Sequence, residues 1–401
     1  MLRAPCKYRV PTIMEWNDDV AYALTPLKLL SMPLGYWPLQ KNNMFDLLRY
    51  SLAVTSMAWV VIVVNIEVYY NCIDPYAKID AVLLSTCGFL ALLKITWFRI
   101  YADNLISNFN SAINDYLTID NEKKRVVMRR HAFMGRVICY SVVCIANVAS
   151  VFYISLPLMN VSVNGSAVGF ERKYPIPSTC TLGTLNISGT LHIILYVMHS
   201  IMLFIMGSGN IGGDSFFLAI TVHLCGQVQL LRDEIVNFGV KGSNPCEEFS
   251  KILTRHQHLL YQASLLADTI SFVLMVQLLI SCVLICVTGF QFILALKVGD
   301  MIMIFKTLTV QTTLLTQMFA YSCVGDYMKY QIEEIAHAIF SSNWYWLSFK
   351  LMRNILFVIV RSQKPIQLMA GKFLVMNMET FMSIIKTSLS YLSVLRVMVE
   401  M

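Results

Sequence analysis

The sequence predicts an all-α membrane protein with seven transmembrane helices. Of its 401 residues, 57% are hydrophobic and 14% are charged, a balance far from that of a soluble globular chain. Apolar runs of about 20 residues, the length that crosses the hydrocarbon of a bilayer, recur along the chain. The net charge of +7 is divided among short loops instead of forming one patch. It is therefore interpreted as membrane orientation and not as nucleic-acid binding.

Residues 1–46 are predicted to form a cytosolic N-terminus with a short interfacial or re-entrant helix. The stretch 20–39 is apolar, but Pro26, Pro33 and Pro38 interrupt it, so we do not expect a continuous span there. No continuous apolar core precedes a small-residue cleavage site in this region. The first span is therefore expected to act as its own insertion signal.

Six spans are predicted within residues 47–325. They cover 47–70, 81–100, 133–158, 191–235, 255–296 and 301–323. The fourth and fifth elements exceed the ~20 residues of one crossing, so half of each is expected to project into the cytosol. The fourth passes through the glycine cluster 207–213, followed by Asp214. The Lys-Ser/Thr pair of a phosphate-binding loop is missing there, so the cluster is interpreted as a thin or bent part of the helix.

The C-terminal end is predicted to contain two helices separated at Pro365. Residues 326–365 form a cytosolic anchor helix, which is apolar at helical spacing but carries too many charges for hydrocarbon. Residues 366–401 form the seventh span with a short extracellular tail, so that a break splits the last helical region. A polar stripe recurs on one face of this span at intervals of four, three, four and three residues: Glu379, Ser383, Lys386, Ser390 and Ser393.

Ionisable side chains at membrane depth normally face protein or water, so the stripe predicts a helix that lines a wet passage. The alternative is packing against neighbouring helices, where small serines favour close approach.

Charges and glycosylation motifs predict the same orientation, with the N-terminus inside and the C-terminus outside. Nineteen Lys and Arg residues then lie in cytosolic segments, and only Lys78, Arg172, Lys173 and Lys297 lie opposite. Three N-glycosylation sequons, at Asn160, Asn164 and Asn186, occupy the loop 160–190, which is predicted to be extracellular.

A G-protein-coupled receptor has the opposite orientation, and its DRY and NPxxY patterns are missing. A transporter would show an internal repeat, and none is visible.

Cys72 and Cys180 are the only cysteines in the predicted outside loops, which makes them candidates for a disulfide. His256 and His258 lie in a polar segment without a third ligand nearby, so we expect no metal site. Enzyme signatures are missing from the sequence, so we expect no cofactor and no enzymatic activity.

A ligand pocket is predicted between the outer halves of the third and fourth spans, because an apolar wall with a few polar groups is typical of such sites. His192, Tyr196, His199 and Met206 share one helix face, and methionines adapt to varied apolar shapes. For each residue the alternative is core packing. The candidate lining is Asn147, Ser150, Val151, Tyr153, His192, Tyr196, His199, Met202 and Met206.

The C-terminal end resembles that of insect odorant receptors. The motifs SSNWY (341–345), RSQKP (361–365), AGKF (370–373) and SYLSVL (390–395) match in order and spacing. Gustatory receptors of the same superfamily resemble this end too. Ser390 and Tyr391 fit their closing motif but Val397 and Met398 do not, which favours the odorant branch.

The resemblance implies an odorant-gated, nonselective cation channel of olfactory neurons. A tuning subunit would assemble with co-receptor subunits into a tetramer in the plasma membrane, with a small volatile ligand. The loop between the fourth and fifth elements is short, as in a tuning subunit, whereas the co-receptor carries a long insertion there. Val394 corresponds to the gate and Tyr391 lies one turn before it, whereas Lys386 replaces a small residue of the co-receptor. Large aromatics often dominate interfaces, so Trp344, Tyr345 and Trp346 are the candidate subunit contacts.

Overall fold

The computed structural model describes residues 16–39, 43–70, 75–163, 174–178, 181–182, 188–238 and 245–400. Within these residues lie ten α-helices, one 3-10 helix (Trp344–Trp346) and a two-stranded antiparallel sheet. The helices are α1 (Asp18–Ser31), α2 (Met44–Tyr69), α3 (Pro75–Ile100), α4 (Ala102–Leu117), α5 (Glu122–Val163), α6 (Gly189–Val236), α7 (Pro245–Val298), α8 (Met301–Ser341), α9 (Phe349–Ser362) and α10 (Met378–Glu400). The strands are β1 (Met369–Ala370) and β2 (Leu374–Val375).

Helix α6 lies at the centre of the bundle. It packs against α5 along an extensive interface and also contacts α2, α3, α7 and α8. Its stretch from Ile211 to Leu218 is buried without interruption. The glycine cluster 207–213 leads into this stretch and does not interrupt the helix. Side chains of neighbouring elements occupy the space that a Cβ would need there, since a Cβ on Gly213 would lie 2.3 Å from the Phe98 ring. The glycines therefore make α6 thin where other helices cross it.

The long helices extend beyond one bilayer thickness. Helices α6 and α7 have 48 and 54 residues, which at 1.5 Å per residue is roughly 70–80 Å, more than twice a hydrocarbon core. The end of α6, the start of α7, the end of α8 and helix α9 meet in one apolar cluster around Ile235, Phe249, Ile339 and Ile355. We call this part of the bundle the anchor end, and the part that contains the start of α6 the loop end.

Helix α1 passes through Pro26, one of the three prolines that were predicted to interrupt the stretch 20–39. Proline lacks an N–H, so the carbonyl of Tyr22 loses its ordinary helical partner. Arg136 of α5 donates to that carbonyl instead, at 3.1 Å. Gly35 then turns the chain with φ of +71°, in a place where a Cβ would lie 2.6 Å from the backbone nitrogen of Tyr50.

The C-terminal region departs from its predicted helices. Helix α8 continues past the predicted sixth span, 301–323, to Ser341. The region 326–365 is therefore not one anchor helix: the end of α8, the 3-10 helix and α9 share it. The break follows the Ser-Ser-Asn run, where the Ser341 hydroxyl donates to the His337 carbonyl and the Ser342 hydroxyl to that of Ile339. Such local bonds compete with helix continuation.

The seventh span begins later than residue 366. The strands β1 and β2 form a tight turn in which Gly371 and Lys372 have φ of +61° and +64°. This left-handed conformation excludes an α-helix across the AGKF motif. Helix α10 starts at Met378, where the Asn377 side chain accepts from the backbone N–H of Thr380.

Five helices are long and apolar enough to cross a bilayer on length and composition alone, within the described residues: Met44–Tyr69, Lys78–Ile100, Glu122–Leu158, Gly189–Val236 and Pro245–Val298. Helix α8 is long enough but not apolar enough to be counted with them, because it carries several threonines and glutamines, such as Thr309 and Gln311. Helix α10 carries the polar stripe with Glu379 and Lys386. The sequence prediction of seven spans therefore includes two helices of mixed polarity.

The anchor end buries His256, which leads to a pH prediction. Burial, assisted by the positive charge of Arg361, lowers the pKa of this imidazole to about 4, against about 6.5 in an unfolded chain. The unfolded chain binds more protons below pH 6.5, so stability falls as the pH drops from about 6.5 towards 4. Between pH 7 and pH 5 we expect the wild-type protein to lose about 2 kcal/mol that a His256→Leu variant keeps.

Thermal unfolding of the detergent-solubilised protein at the two pH values measures this difference. The half-buried His258, which bonds to Ser111 at 2.9 Å, supplies the control variant His258→Gln. An equal pH response in the wild-type and His256→Leu proteins would contradict the prediction.

Candidate ligand pocket and pore helix

An aromatic cluster lies at the loop end of α6. The His192 ring stacks on Tyr174 with centroids 4.8 Å apart, and the buried His199 ring meets Tyr174 edge-on at 5.6 Å. Tyr196 donates its hydroxyl proton to the carbonyl of Ile154 on α5. Three of the predicted pocket residues therefore come together. Tyr174, from the segment before α6, completes the cluster and was not predicted.

His199 carries an unsatisfied polar atom. Its side chain is buried, and its Nδ1 has no hydrogen-bond partner among the described residues. A buried polar group without a partner costs free energy. A ligand with a hydroxyl or carbonyl group would recover that free energy, so His199 is the most informative residue of the cluster.

A second part of the predicted pocket lies further along the two helices. Asn147 and Ser150 of α5 face Gly207 and Ile211 of α6 across a small cavity. Its volume of about 10 Å³ holds roughly one water molecule. Both polar side chains donate to their own helix, to the Val143 and Ala146 carbonyls. A larger ligand therefore requires α5 and α6 to separate here.

The remaining pocket candidates divide between the interior and the surface. Met206 is buried, and its sulfur would lie 3.3 Å from a Cβ on Gly88 of α3. Met202 and Tyr153 are partly buried and pack against the core. Val151 is 55% exposed, so the structure places it on the outer face of α5, away from the other candidates.

The segment before α6 is fastened into the loop end. Ile176 is fully buried, and Glu67 of α2 accepts from both the backbone N–H and the hydroxyl of Thr181, at 2.8 and 2.9 Å. This segment holds Tyr174 against the two histidines. Its contribution could not be read from the sequence, because nothing in a polar loop indicates which residue folds inward.

A buried ion pair between Lys94 of α3 and Asp214 of α6 was also missed. Their Nζ and Oδ2 atoms lie 2.8 Å apart. The available signal was Lys94 itself, a lysine inside the second apolar run, since ionisable residues at membrane depth are rare and usually paired.

Helix α10 has one packed face and one open face. Phe381, Ile384 and Ser388 turn towards the bundle, and Leu392 would lie 2.7 Å from a Cβ on Gly289 of α7. The predicted pore residues lie on the open face: Glu379, Ser383, Lys386, Ser390, Tyr391, Ser393 and Val394. Neither Glu379 nor Lys386 has an ion-pair partner in the part of the chain that the structure describes. One chain alone leaves this polar face uncovered.

The start of α10 is anchored on α8. The Asp326 carboxylate accepts from the backbone N–H of Met378 at 2.8 Å. Gly325 lies against the carbonyl of Met376, and a Cβ there would be 2.1 Å from that oxygen. The turn between β1 and β2 rests on α7, where Gly371 donates to the Ser271 carbonyl at 3.0 Å. The position of α10 is therefore set by α7 and α8.

A family model described as 7tm Odorant receptor matches residues 74–389 of this chain. The chain belongs to the 7tm odorant receptor family. Odorant receptor 13a of Drosophila melanogaster is 23% identical over 92% of this chain and 96% of its own length. Putative odorant receptor 92a of the same species is 31% identical over 39% of this chain and 38% of its own.

The fold of the receptor is similar to that of the insect olfactory receptor OR5 from Machilis hrabei, solved in complex with eugenol. The TM-score is 0.77 at 16% identity, over 95% of this chain and all of the other. The predicted family, the all-α fold with seven spans and the multi-pass membrane location are confirmed. The family is one of receptors and not an enzyme class.

The receptor exposes aromatic side chains at its anchor end. Trp344 is partly buried and meets Phe340 edge-on at 6.3 Å. Trp346 is 81% exposed, and Tyr345 and Phe357 are exposed too. Of the three predicted interface aromatics, Trp344 packs against the core of its own chain. The other two are exposed.

Several predictions fall on residues that the structure does not describe. Asn164, Asn186, Cys72 and Cys180 lie outside the described residues, so glycosylation and the candidate disulfide stay predictions. Asn160 belongs to the last turn of α5. Within the described residues, no disulfide joins the cysteines at positions 87, 139, 144, 225, 282, 286 and 323.

Proposed function

We propose that this chain is the odorant-binding subunit of a ligand-gated, nonselective cation channel. The open polar face of α10 carries the proposal. Glu379 and Lys386 belong to the predicted seventh span, where exposure of charge to lipid is costly. Four such helices around one axis would turn these faces towards a water-filled pore, which removes that cost.

The proposed assembly is a heterotetramer with a co-receptor in the plasma membrane of olfactory neuron dendrites. Membership of the odorant receptor family supports it, as does the uncovered aromatic surface of the anchor end. In this assembly residues 1–46 and the anchor end lie in the cytosol. The loop 160–190, with Asn160, Asn164 and Asn186 glycosylated, lies outside, as the charge distribution and the sequons indicate.

The proposed odorant site combines the aromatic cluster around His199 with the small cavity between α5 and α6. An apolar wall with a few polar groups suits a small volatile molecule. The relative solved in complex with eugenol shows that one protein of this fold binds such a compound. We infer that odorants enlarge the cavity beside Asn147 and Ser150.

Expression with and without a co-receptor under voltage clamp, with a panel of odorants, tests the function. Odorant-evoked current is expected only when both subunits are present. A His199→Phe change, which keeps a ring but removes the nitrogens, is expected to lower responses to hydroxyl- and carbonyl-bearing odorants about 10-fold relative to hydrocarbons. The reversal potential should not change.

Val151→Ala, on the outer face of α5, is the control and should keep the wild-type ranking. A surface-expressed receptor that stays silent with the co-receptor across the panel would argue against the function. An unchanged ranking in His199→Phe would remove this residue from the site.

The anchor end is proposed to be the main contact between subunits. Truncating Trp346 to Ala is expected to cost about 2 kcal/mol at that interface, because exposed aromatics often become hot spots on assembly. Co-purification with the co-receptor should fall roughly 30-fold in apparent affinity, while the thermal midpoint of the isolated subunit stays the same. Trp344→Ala is expected to lower that midpoint. Full recovery of the co-receptor with Trp346→Ala would contradict the interface.

A further inference from the structure

Five polar side chains from three spans meet inside the bundle. They are Lys94 on α3, Asn210 and Asp214 on α6, and Gln317 and Tyr321 on α8. The Lys94 and Asp214 side chains are 0% and 1% exposed. In the fold of this family they lie among helices that cross the membrane, where an unpaired charge is expensive.

Every polar group of the ion pair has a partner. The Lys94 ammonium donates to Asp214 Oδ2 at 2.8 Å, to the Asn210 side-chain oxygen at 2.8 Å and to the Asn210 carbonyl at 3.0 Å. The Asp214 carboxylate also accepts from Gln317 Nε2 and, at 2.6 Å, from the Tyr321 hydroxyl. A shift of one helix would leave a buried charge with an unmade bond, which is costly away from solvent. At this level α3, α6 and α8 are therefore joined into one rigid unit.

The proposed odorant site is next to this unit along α6. Gly207 and Ile211 line the small cavity, and Asp214 follows Ile211 by three residues, less than one helical turn. A ligand that separates α5 from α6 at the cavity therefore displaces the turn that carries the carboxylate.

The pore helix is next to the same unit along α8. Phe319 lies between Gln317 and Tyr321 in sequence and contacts Phe381 of α10, with ring centroids 5.5 Å apart. Asp326, further along α8, accepts from the first backbone N–H of α10. Helix α8 thus holds the ion pair on one face and the pore helix on another.

We propose that Asp214 is a positioning residue for channel opening. Its bonds to Lys94 and Tyr321 fasten α6 to α3 and α8, so that a displacement of α6 by an odorant moves α8 and, with it, the start of α10. This inference rests on the proposed function. It assigns the ion pair a part in coupling ligand binding to the pore, beyond its part in packing.

The test compares variants in the full receptor, co-expressed with a co-receptor, by surface labelling and odorant-evoked current. Tyr321→Phe keeps the ring and removes the hydroxyl that Asp214 accepts from. The maximal current per surface receptor is expected to fall at least about 5-fold, the lower range of allosteric coupling between sites. Thr288→Val is the matched control. Its hydroxyl bonds to Gln311 between α7 and α8, outside the ion-pair cluster, and its current should equal the wild-type value.

The double variant Lys94→Met with Asp214→Leu separates coupling from folding. Removing both charges leaves neither unpaired, so folding and surface level are expected to survive better than in Asp214→Leu alone. Current should stay low because Tyr321 has lost its acceptor. Wild-type current in either Tyr321→Phe or the double variant would overturn the inference. Absence of Tyr321→Phe from the surface would assign the cluster to folding alone and overturn it equally. A silent wild-type receptor would instead refute the proposed function.

Discussion

Replacing Gly325 with Ala is expected to abolish most odorant-evoked current. A Cβ at this position would lie 2.1 Å from the Met376 carbonyl oxygen, a backbone atom that cannot turn aside as a side chain can. The junction between α8 and α10 would have to open by more than 1 Å. Overpacking of this kind typically costs about 1–3 kcal/mol, and here the strain falls on the residues that position α10.

Surface labelling, thermal unfolding and current in the same cells measure the effect. Gly135→Ala is the matched control. A Cβ there would meet Ala219 at 3.6 Å, an ordinary contact, and alanine favours a helix over glycine by up to about 1 kcal/mol. The control should therefore be neutral or slightly stabilised. Equal currents from the two variants would mean that the close contact at Gly325 has no part in holding α10.

The dependence on Gly325 shows what the sequence could not reveal. Hydrophobic runs are local, so the order of the spans, the long α6 and α7 and the polar stripe of α10 could all be predicted from spacing. Gly325 looks like any helical glycine until the turn that follows Pro365 is seen to lie against it. The same holds for Gly35, whose need for a positive φ depends on the nearby α2.

The C-terminal boundaries failed for a different reason. Residues 366–377 have the composition of an apolar helix, and helical periodicity alone does not report a left-handed pair such as Gly371 and Lys372. Likewise, the apolar run of the sixth span ends near residue 323, and the polar residues that follow it gave no sign that α8 continues to Ser341. Local chemistry at the Ser-Ser-Asn run decides the true end.

The candidate site was predictable in part. The helical spacing of His192, Tyr196 and His199 follows from sequence alone, and these side chains do share one cluster. Tyr174 and the ion pair of Lys94 with Asp214 depend on contacts between segments far apart in the chain. The sequence marks Lys94 as costly at its depth but does not name its partner, because α6 crosses α3 at an angle that only the packed bundle defines.

The uncovered face of α10 allows a gate to be tested at Val394. This side chain is 59% exposed and flanks the polar stripe. If four copies of the position form an apolar constriction, the closed pore excludes ions, because a narrow apolar ring dewets and ions keep their hydration shells. Odorant opens such a gate only by binding the open arrangement more tightly.

Val394→Ser is expected to raise the current without odorant several-fold, because a hydroxyl-lined ring stays wet. The odorant ranking, which depends on the loop end of α6, should be unchanged. Leu389→Ser is the control, since Leu389 is also 59% exposed but lies roughly 140° away around the helix axis, so the two cannot both face one narrow pore. Where co-receptor subunits supply most pore positions, the same change in the partner should enlarge the effect. Val394 would be excluded as the gate if basal current and reversal potential stayed unaltered in both subunits at normal surface level. An effect of Leu389→Ser alone would place the pore on the other flank of the stripe.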